Sequence, residues 1–588
     1  MKKITLLLVA IAMVAAQPAM AQKKSRKAKQ PEAVANASDT NRAWRNLNET
    51  FGLINRFYVE NPNFGKLSET GIHAMLRELD PHSIFIPERD VEKANESLNG
   101  NFEGVGISFQ IVKDTIQVAD VIVGGPSEKV GLMIGDKIVR IDGNPAVGDS
   151  VNNSFVTKHL RGKKGTTVVL DVLRANQLIS FSIIRDKVPI YSVDSHFMID
   201  STTGYIRLTR FARTSASEMY QAINDLNKQG MKKLVLDLRG NGGGFLDIAF
   251  NIADMFLPAG KLIVYQEGRM QPRQNFMSTR RGAFQQGELV VLIDESSASA
   301  SEIVSGCLQD WDRATIVGRR SFGKGLVQRM YPLSDGSQVR LTTARYYTPS
   351  GRCIQKPYDK GVDAYFHDLE RRYNNGEMVH PDSVRMPDSL KFQTASGRTV
   401  YGGGGITPDV FVPLDTTRLS DYYLNLRSKG LINDFCNDFA NQHRGQENLA
   451  DFNSFMAHYD EMKVDDLFAA YAESKNVSKV EVKGEWVAAW VADQFKKQLK
   501  DSTNAIHAED YVSYVAQWQQ DKEFMESIAE KARKEDKRRL EINRRSEEYL
   551  HYMLKSLIAK NLYGIEYYYK VMKDQDEGLK AALKVLNH

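Results

Sequence analysis

The chain has 588 residues, too many for one hydrophobic core, which predicts three or four domains. Its 42% hydrophobic and 26% charged residues are ordinary for soluble globular protein, and a net charge of +5 without a dense basic face argues against a nucleic-acid partner. The cysteines Cys307, Cys353 and Cys436 are too few for a disulfide framework and allow at most one bridge, and without a CxxC or HExxH motif no metal or other cofactor is expected.

The first residues predict a secretory signal peptide over residues 1–21. Two lysines precede an apolar run from Ile4 to Ala16, and Ala19-Met20-Ala21 offers a cleavage site. A buried N-terminal helix is the alternative, but charge, run and cleavage site together favour the signal. The run is too short to span a membrane, and no later run approaches 18 apolar residues. We therefore expect secretion across the inner membrane to the periplasm, with membrane association left open and no integral membrane segment after cleavage.

A polar linker is predicted over residues 22–42, followed by a helical cap over residues 43–100. Its apolar residues recur at helical spacing and would line one face. They are Trp44, Leu47, Phe51, Ile54 and Tyr58.

From residue 101 to 187 the pattern changes to short β runs with glycine turns and one helix. This combination predicts a small peptide-binding barrel. The strand-like runs are Val118–Val123, Lys137–Ile141 and Thr167–Leu173, and the helix is Ser150–Leu160.

Residues 188–414 are predicted to form an α/β domain. The apolar runs Leu234–Leu238 and Leu289–Ile293 are typical of strands covered on both faces, and helical stretches begin at Leu246 and Ala300.

Two further segments are predicted from composition. Residues 356–402 are charged and aperiodic, which predicts a surface insertion. Residues 415–588 contain no proline and little glycine, and they predict a C-terminal helical domain, solvated or facing a partner. An adaptor or a second copy of the chain could bind through these helices.

Three segments inside the α/β domain carry residues suited to catalysis. The run Ser296–Glu302 (SSASASE) follows a buried strand and opens a helix, which exposes a serine and turns N–H groups toward a developing oxyanion. Ser321–Gly325 (SFGKG) places one lysine between glycines, where burial would favour a neutral amine. Asp237–Gly244 (DLRGNGGG) ends a strand in a glycine-rich loop and fits neither the P-loop nor the dinucleotide pattern.

These segments, in their order along the chain (Asp237–Gly244, Ser296–Glu302, Ser321–Gly325), resemble the carboxyl-terminal processing proteases, also called tail-specific proteases, over about residues 45–412. The resemblance implies a multidomain α+β protein whose α/β protease core is crotonase/ClpP-like and carries an inserted PDZ β-barrel. Further matches are Ser334-Asp335-Gly336-Ser337, Thr348-Pro349-Ser350-Gly351 and Gly405-Ile406-Thr407-Pro408-Asp409.

The resemblance also implies roles for single residues. Ser299 would be the nucleophile, Lys324 the general base and Gln328 the residue that orients the amine. The N–H groups of Ala300 and Gly244 would bind the oxyanion. The neighbouring serines Ser297 and Ser301 would be structural or solvent-facing, and no histidine stands in a comparable neighbourhood.

The PDZ resemblance rests on Asn101–Phe109 (NFEGVGISF) and on Gly124–Gly143. It implies a loop whose N–H groups hold the terminal carboxylate of a protein substrate, with Ile107 lining the pocket for the last side chain. Arg161 matches a position that would couple tail docking to the active site. The expected peptide-binding residues are Gly104, Val105, Gly106, Ile107, Ser108 and Arg161.

The expected function is therefore a secreted serine endopeptidase that docks free C-termini and cleaves extracytoplasmic proteins. The alternatives are a binding scaffold on an inactive protease fold, a PDZ-bearing protease of the chymotrypsin type and an acyl-CoA enzyme of the crotonase type. The second requires a GxSGG loop, and Gly240–Gly244 contains no serine; the third leaves the PDZ segment unexplained. Whether the Ser299–Lys324 pair is assembled before a tail docks is left open.

Overall fold

The computed structural model describes residues 37–112, 114–280, 282–383, 386–479 and 522–587, so the predicted signal peptide and most of the linker lie outside it. The chain divides into two compact units, residues 1–72 and 73–588. In the first, the rings of Phe51 and Phe64 stack with centroids 5.9 Å apart. None of the helices in these ranges is both long and apolar enough to cross a membrane. The first two helices are α1 (Ala37–Phe57) and α2 (Phe64–Leu79).

The structure differs in two places from the predicted linker over residues 22–42 and the predicted helical region over residues 43–100: helix α1 already begins at Ala37, and a strand interrupts the helices. Residues Ile84–Ile86 form strand β1, which is followed by helix α3 (Glu88–Asn99).

A six-stranded antiparallel sheet follows, in the order β3-β4-β5-β7-β8 with β6 paired to β5. Its apolar residues form their own buried cluster, which includes Val118, Ile138 and Val168. A separate pair, β2 and β9, flanks this sheet in sequence. The elements are β2 (Asn101–Gly104), β3 (Ile107–Val112), β4 (Thr115–Val121), α4 (Pro126–Lys129), β5 (Lys137–Ile141), β6 (Asn144–Pro145), α5 (Asn153–Leu160), β7 (Thr167–Arg174), β8 (Gln177–Ile184) and β9 (Asp186–Pro189).

The α/β domain is built on a six-stranded sheet in the order β10-β11-β12-β15-β16-β21, parallel from β11 onward. Both faces are covered, which explains its apolar runs. The elements are β10 (Val193–Met198), β11 (Thr203–Leu208), α6 (Ser215–Lys228), β12 (Lys233–Asp237), α7 (Leu246–Asp254), β13 (Leu262–Gly268), β14 (Gln271–Met277), β15 (Glu288–Ile293), α8 (Ala300–Asp310), β16 (Thr315–Gly318), β17 (Leu326–Pro332), β18 (Gln338–Tyr347) and β21 (Val410–Phe411).

Strands β13, β14, β17 and β18 form a second sheet with β1 at its edge, because Phe85 pairs with Val339. Residues 356–402 contain α9 (Val362–Phe366), α10 (Asp368–Asn374) and the hairpin β19 (Lys391–Gln393) and β20 (Thr399–Tyr401). The expectation of a surface insertion is wrong for its first half, since Tyr365 and Arg372 are almost completely buried. Arg372 donates to the Arg320 and Ser321 carbonyls, so the insertion packs against the chain beside the lysine loop.

The C-terminal helices form a further apolar cluster, in which Phe455, Phe468 and Ile558 are buried. The last helix differs from the expected division. Its residues Leu579, Ala582 and Leu586 pack on Val235 and Leu292 of the parallel sheet, so it is a layer of the α/β domain. The helices are α11 (Asp421–Ser428), α12 (Leu431–His443), α13 (Phe452–His458), α14 (Val464–Ser474), α15 (Lys522–Tyr563), α16 (Ile565–Met572) and α17 (Glu577–Leu586).

Candidate active site

Three loops meet at one edge of the parallel sheet. Strands β12, β15 and β16 are neighbours and run in the same direction, so their carboxyl ends lie side by side. The glycine-rich loop follows β12, the serine turn follows β15 and the lysine loop follows β16. The topology alone therefore brings together three segments that are far apart in sequence.

Ser299 occupies a strained turn immediately before helix α8. Its φ of 56° and ψ of −110° lie outside the regions that residues with side chains prefer. Its side chain is half-buried, whereas Ser297 and Ser301 are completely buried. Their hydroxyl groups donate to the carbonyls of Leu238 (2.9 Å) and Asn241 (2.8 Å). Of these three serines, only Ser299 is left accessible.

The glycine-rich loop lies directly against this turn. The Ala298 N–H donates to the Asn241 carbonyl at 3.0 Å. At Gly243, where φ is +100°, an added Cβ would lie 2.8 Å from the Ser299 Cβ, so a side chain would enter the site. Within the described residues, neither the Gly244 nor the Ala300 N–H donates to a protein acceptor. Two unpartnered donors thus lie beside Ser299.

Glu302 joins the serine turn to the lysine loop. Its completely buried carboxylate accepts from the N–H groups of Ser299 (2.7 Å), Gly323 (2.7 Å) and Lys324 (2.9 Å), and from the Ser321 hydroxyl (2.5 Å). Burial raises its pKa to about 7, although these hydrogen bonds act in the opposite direction. One carboxylate therefore holds the backbones of the serine turn and the lysine loop next to each other.

The Lys324 amine lies in a desolvated pocket. Burial lowers its pKa, against the attraction of the Glu302 and Asp80 carboxylates. Its Nζ donates to Gln328 Oε1 at 3.1 Å, and no hydrogen bond joins it to the Ser299 hydroxyl in the described part of the chain. A lowered pKa is what a lysine needs in order to act as a base.

A histidine also belongs to this site, contrary to the sequence-based expectation. The Gln328 side-chain amide donates to the His82 carbonyl. Burial first, and then the Lys324 charge, lower the His82 pKa to about 3, so its ring is neutral near pH 7. Its Nε2 lies 2.8 Å from the Tyr365 hydroxyl, at the start of the insertion. The turn Asp80-Pro81-His82-Ser83 is a recognisable turn sequence, but nothing in it indicates a place beside Lys324.

The predicted peptide-binding residues lie together at an edge of the antiparallel sheet. Among the residues that the structure describes, strand β3 pairs only with β4, so its other edge can accept an added strand. Gly106 has a φ of +86°, and Ile107 and Ser108 open the strand. In the described ranges the Val105 and Gly106 N–H groups have no acceptor. The loop can therefore hold an anion.

Arg161 connects this loop to α3. It forms an isolated bridge with Gly104, and its guanidinium bonds Glu96 and lies 4.8 Å from the centre of the Phe102 ring. Helix α3 in turn receives hydrogen bonds from Arg340 of β18, at its Ala94 carbonyl (3.0 Å) and Asn95 side chain (2.9 Å). Since β18 pairs with β17, which carries Gln328, a continuous set of contacts runs from the peptide loop to the lysine.

Comparison with known proteins places these features in a family. Peptidase family S41 matches residues 202–364, and the PDZ domain family matches residues 104–184. The "Carboxy-terminal-processing protease" of Bartonella bacilliformis is 35% identical over 326 residues, which are 54% of this chain and 74% of the relative. The "Carboxy-terminal processing protease CtpA" of Bacillus subtilis is 34% identical over 318 residues, 54% of this chain and 67% of the relative. The solved photosystem II D1 C-terminal processing protease is 27% identical, with 65% of this chain and 89% of that chain covered at a TM-score of 0.34.

Proposed function

Because the chain belongs to peptidase family S41, the carboxy-terminal processing proteases, and carries a PDZ domain, we propose that it is a secreted serine endopeptidase with a Ser299–Lys324 dyad. It docks the C-termini of extracytoplasmic proteins on the PDZ domain and cleaves them. The observation that carries the proposal is the convergence of an accessible serine, two unpartnered N–H groups and a desolvated amine at one sheet edge.

In the proposed reaction the neutral Lys324 amine accepts the Ser299 proton while Oγ attacks the substrate carbonyl. The resulting oxyanion accepts hydrogen bonds from the Gly244 and Ala300 N–H groups. Collapse of this intermediate breaks the C–N bond, and the Lys324 ammonium protonates the leaving amine. Lys324 then takes a proton from water, whose oxygen attacks the acyl carbon, and returns that proton to Ser299 as the ester is cleaved.

Substrate tails would bind by strand addition. The Val105 and Gly106 N–H groups would hold the terminal carboxylate, and Ile107 would line the pocket for the last side chain. The contacts of Arg161 with Glu96 support the hypothesis that docking is sensed at the active site.

The proposal is tested by cleavage of casein, which is largely unstructured, and by a fluorophosphonate that labels reactive serines. Ser299→Ala and Lys324→Ala should each abolish cleavage, while Ser296→Ala, a change at an exposed serine of the same turn, should retain it. Wild-type turnover in either dyad variant, or labelling of Ser297 or Ser301 instead, would overturn the assignment. Amidation of the substrate's terminal carboxylate should weaken docking, and an unchanged affinity would contradict the role of the PDZ loop.

A further inference from the structure

Arg239, in the glycine-rich loop, is held from two sides. Its guanidinium donates to Asp237 (Nε to Oδ1, 2.9 Å; Nη2 to Oδ2, 2.6 Å). It also donates to Asp576 (Nη1 to Oδ1, 2.8 Å; Nη2 to Oδ2, 2.6 Å). The second carboxylate comes from a position 337 residues further along the chain, where it forms the N-cap of α17. This bidentate geometry fixes the guanidinium more firmly than a single contact would.

The charges around Arg239 require this second carboxylate. The completely buried Asp237 carboxylate also accepts a hydrogen bond from Arg207 at 3.0 Å. One carboxylate therefore faces two guanidinium groups, those of Arg207 and Arg239. A buried charge without a partner is strongly unfavourable. Asp576 supplies the second negative charge and makes the cluster neutral. The ring of Tyr569 on α16 lies 5.1 Å from the guanidinium carbon of Arg207, so both arginines meet a group from the C-terminal helices.

Two features of helix α17 allow this contact, a glycine in its first turn and an apolar face that is buried on the parallel sheet. At Gly578, in its first turn, an added Cβ would lie 2.7 Å from Arg239 Nη1, so a side chain there would displace the guanidinium from this position. Leu579 and Leu586 are buried against the parallel sheet, which fixes the helix. The carboxylate of Asp576 is thus presented from a rigid element.

The position of Arg239 sets the path of the loop that follows it. Its carbonyl accepts from Arg207 Nη2 at 3.2 Å, and the next N–H, that of Gly240, donates to Asp294 at 3.0 Å. Three residues later Gly243 lies against Ser299, and Gly244 offers its free N–H.

We propose that Asp576 is a positioning residue for the peptidase reaction, because it holds Arg239 and thereby the loop that offers the Gly244 N–H to the oxyanion. This inference rests on the proposed function of the Ser299 site. It makes activity depend on the last helix, although α17 contributes no group to the reacting atoms.

The test compares kcat and KM for casein in the full chain and in Asp576→Asn. Asparagine keeps an N-cap acceptor but not the charge, so the helix should remain folded. We expect kcat to fall about tenfold with an unchanged KM, which is less than the 100- to 1000-fold loss caused by removing an oxyanion donor. Asp576→Glu should recover part of this loss. Asp574→Asn, the same charge change at an exposed residue two positions earlier, should behave as wild type.

Gly578→Ala is the second variant, since it displaces the guanidinium without changing any charge. It should lower kcat in the same way. Wild-type kcat in a folded Asp576→Asn chain, or a rise of KM at constant kcat, would overturn the inference. Loss of the folded state in both Asp576→Asn and Gly578→Ala, seen as a missing unfolding transition, would also overturn it, because the contact would then serve the fold alone. A wild-type chain that neither cleaves casein nor is labelled at Ser299 would instead refute the proposed function, and this inference with it.

Discussion

The buried carboxylate of Glu302 makes the stability of the protease domain depend on pH in an unusual direction. Most paired carboxylates have lowered pKa values, but burial raises that of Glu302 from 4.5 to about 7. The folded state therefore favours the protonated form more than the unfolded state does. Stability from this group is fully present below pH 4.5 and is lost as pH rises through about 7.

The size of the effect follows from the same values. A rise from 4.5 to about 7 corresponds to about 3 kcal/mol, because one unit of pKa is about 1.4 kcal/mol. Roughly 2 to 3 kcal/mol of this is lost between pH 5 and pH 8.5. Glu302→Gln cannot titrate, so its free energy of unfolding relative to the parent chain should rise by that amount between the two pH values.

Urea unfolding at pH 5 and pH 8.5 measures this difference. A Ser299→Ala background prevents self-cleavage, and Trp311, at the end of the helix that carries Glu302, reports on this domain when the other tryptophans are replaced by phenylalanine. Glu295→Gln is the matched control: burial acts to raise the Glu295 pKa, but the hydrogen bond and the charge of Arg319 together outweigh it and lower the pKa below 4.5. The contribution of this group is therefore already complete at pH 5, and Glu295→Gln should differ from the parent chain by the same amount at both pH values. An equal effect of Glu302→Gln at both pH values would refute the reasoning.

Three further outcomes are expected. Gly243→Ala should lower casein cleavage by about 100-fold or more, the scale of a lost oxyanion contact, because the added Cβ would enter the site. Gly242→Ala adds a methyl group to open space and should lose far less activity, and equal losses in the two variants would contradict the assignment. Tyr365→Phe removes the hydroxyl that contacts His82, a hydrogen bond worth about 1 kcal/mol, so the free energy of unfolding should fall by about that amount. Because the contact also positions His82 beside Gln328, kcat should fall by up to about fivefold, and an unchanged kcat would argue against a role for this hydroxyl in the reaction. Glu96→Gln should leave the affinity of the PDZ domain for a tail peptide unchanged in fluorescence anisotropy, while slowing cleavage of a substrate that carries that tail; equal cleavage rates would argue against coupling through α3.

Much of the α/β domain was predictable because its signals are local. The apolar runs after Lys233 and Glu288 form parallel strands, and the glycine and serine motifs lie at their carboxyl ends, where parallel strands bring loops together. The motifs were also sufficient to predict the family. The roles of Ser299 and Lys324 remain predictions.

The missed features depend on contacts between distant parts of the chain. Strand β1 pairs with β18, and this pairing brings His82 to the site. The His82 carbonyl there accepts a hydrogen bond from Gln328, which lies 246 residues further along the chain. Helix α17 has the same amphipathic pattern as the helices before it, and only its contacts with the sheet and Arg239 assign it to the protease domain. In the insertion, Arg372 would be expected at the surface by its charge, but Glu377 accepts its Nε at 2.9 Å and allows burial.

Whether the proposed Ser299–Lys324 pair is assembled before a tail docks depends on the position of the Lys324 side chain. The backbones of Ser299 and Lys324 are tied twice: Glu302 accepts from both N–H groups, and the Tyr346 hydroxyl lies 3.0 Å from the Ser299 carbonyl and 2.6 Å from that of Lys324. The amine, however, donates to Gln328 and not to the serine hydroxyl. In the proposed mechanism, assembly therefore requires the Lys324 amine to approach the Ser299 hydroxyl between two backbones that are already tied together. Gln328 lies on the strand that pairs with β18, so the contacts that run from Arg161 through α3 end at the residue that accepts the hydrogen bond of the Lys324 amine.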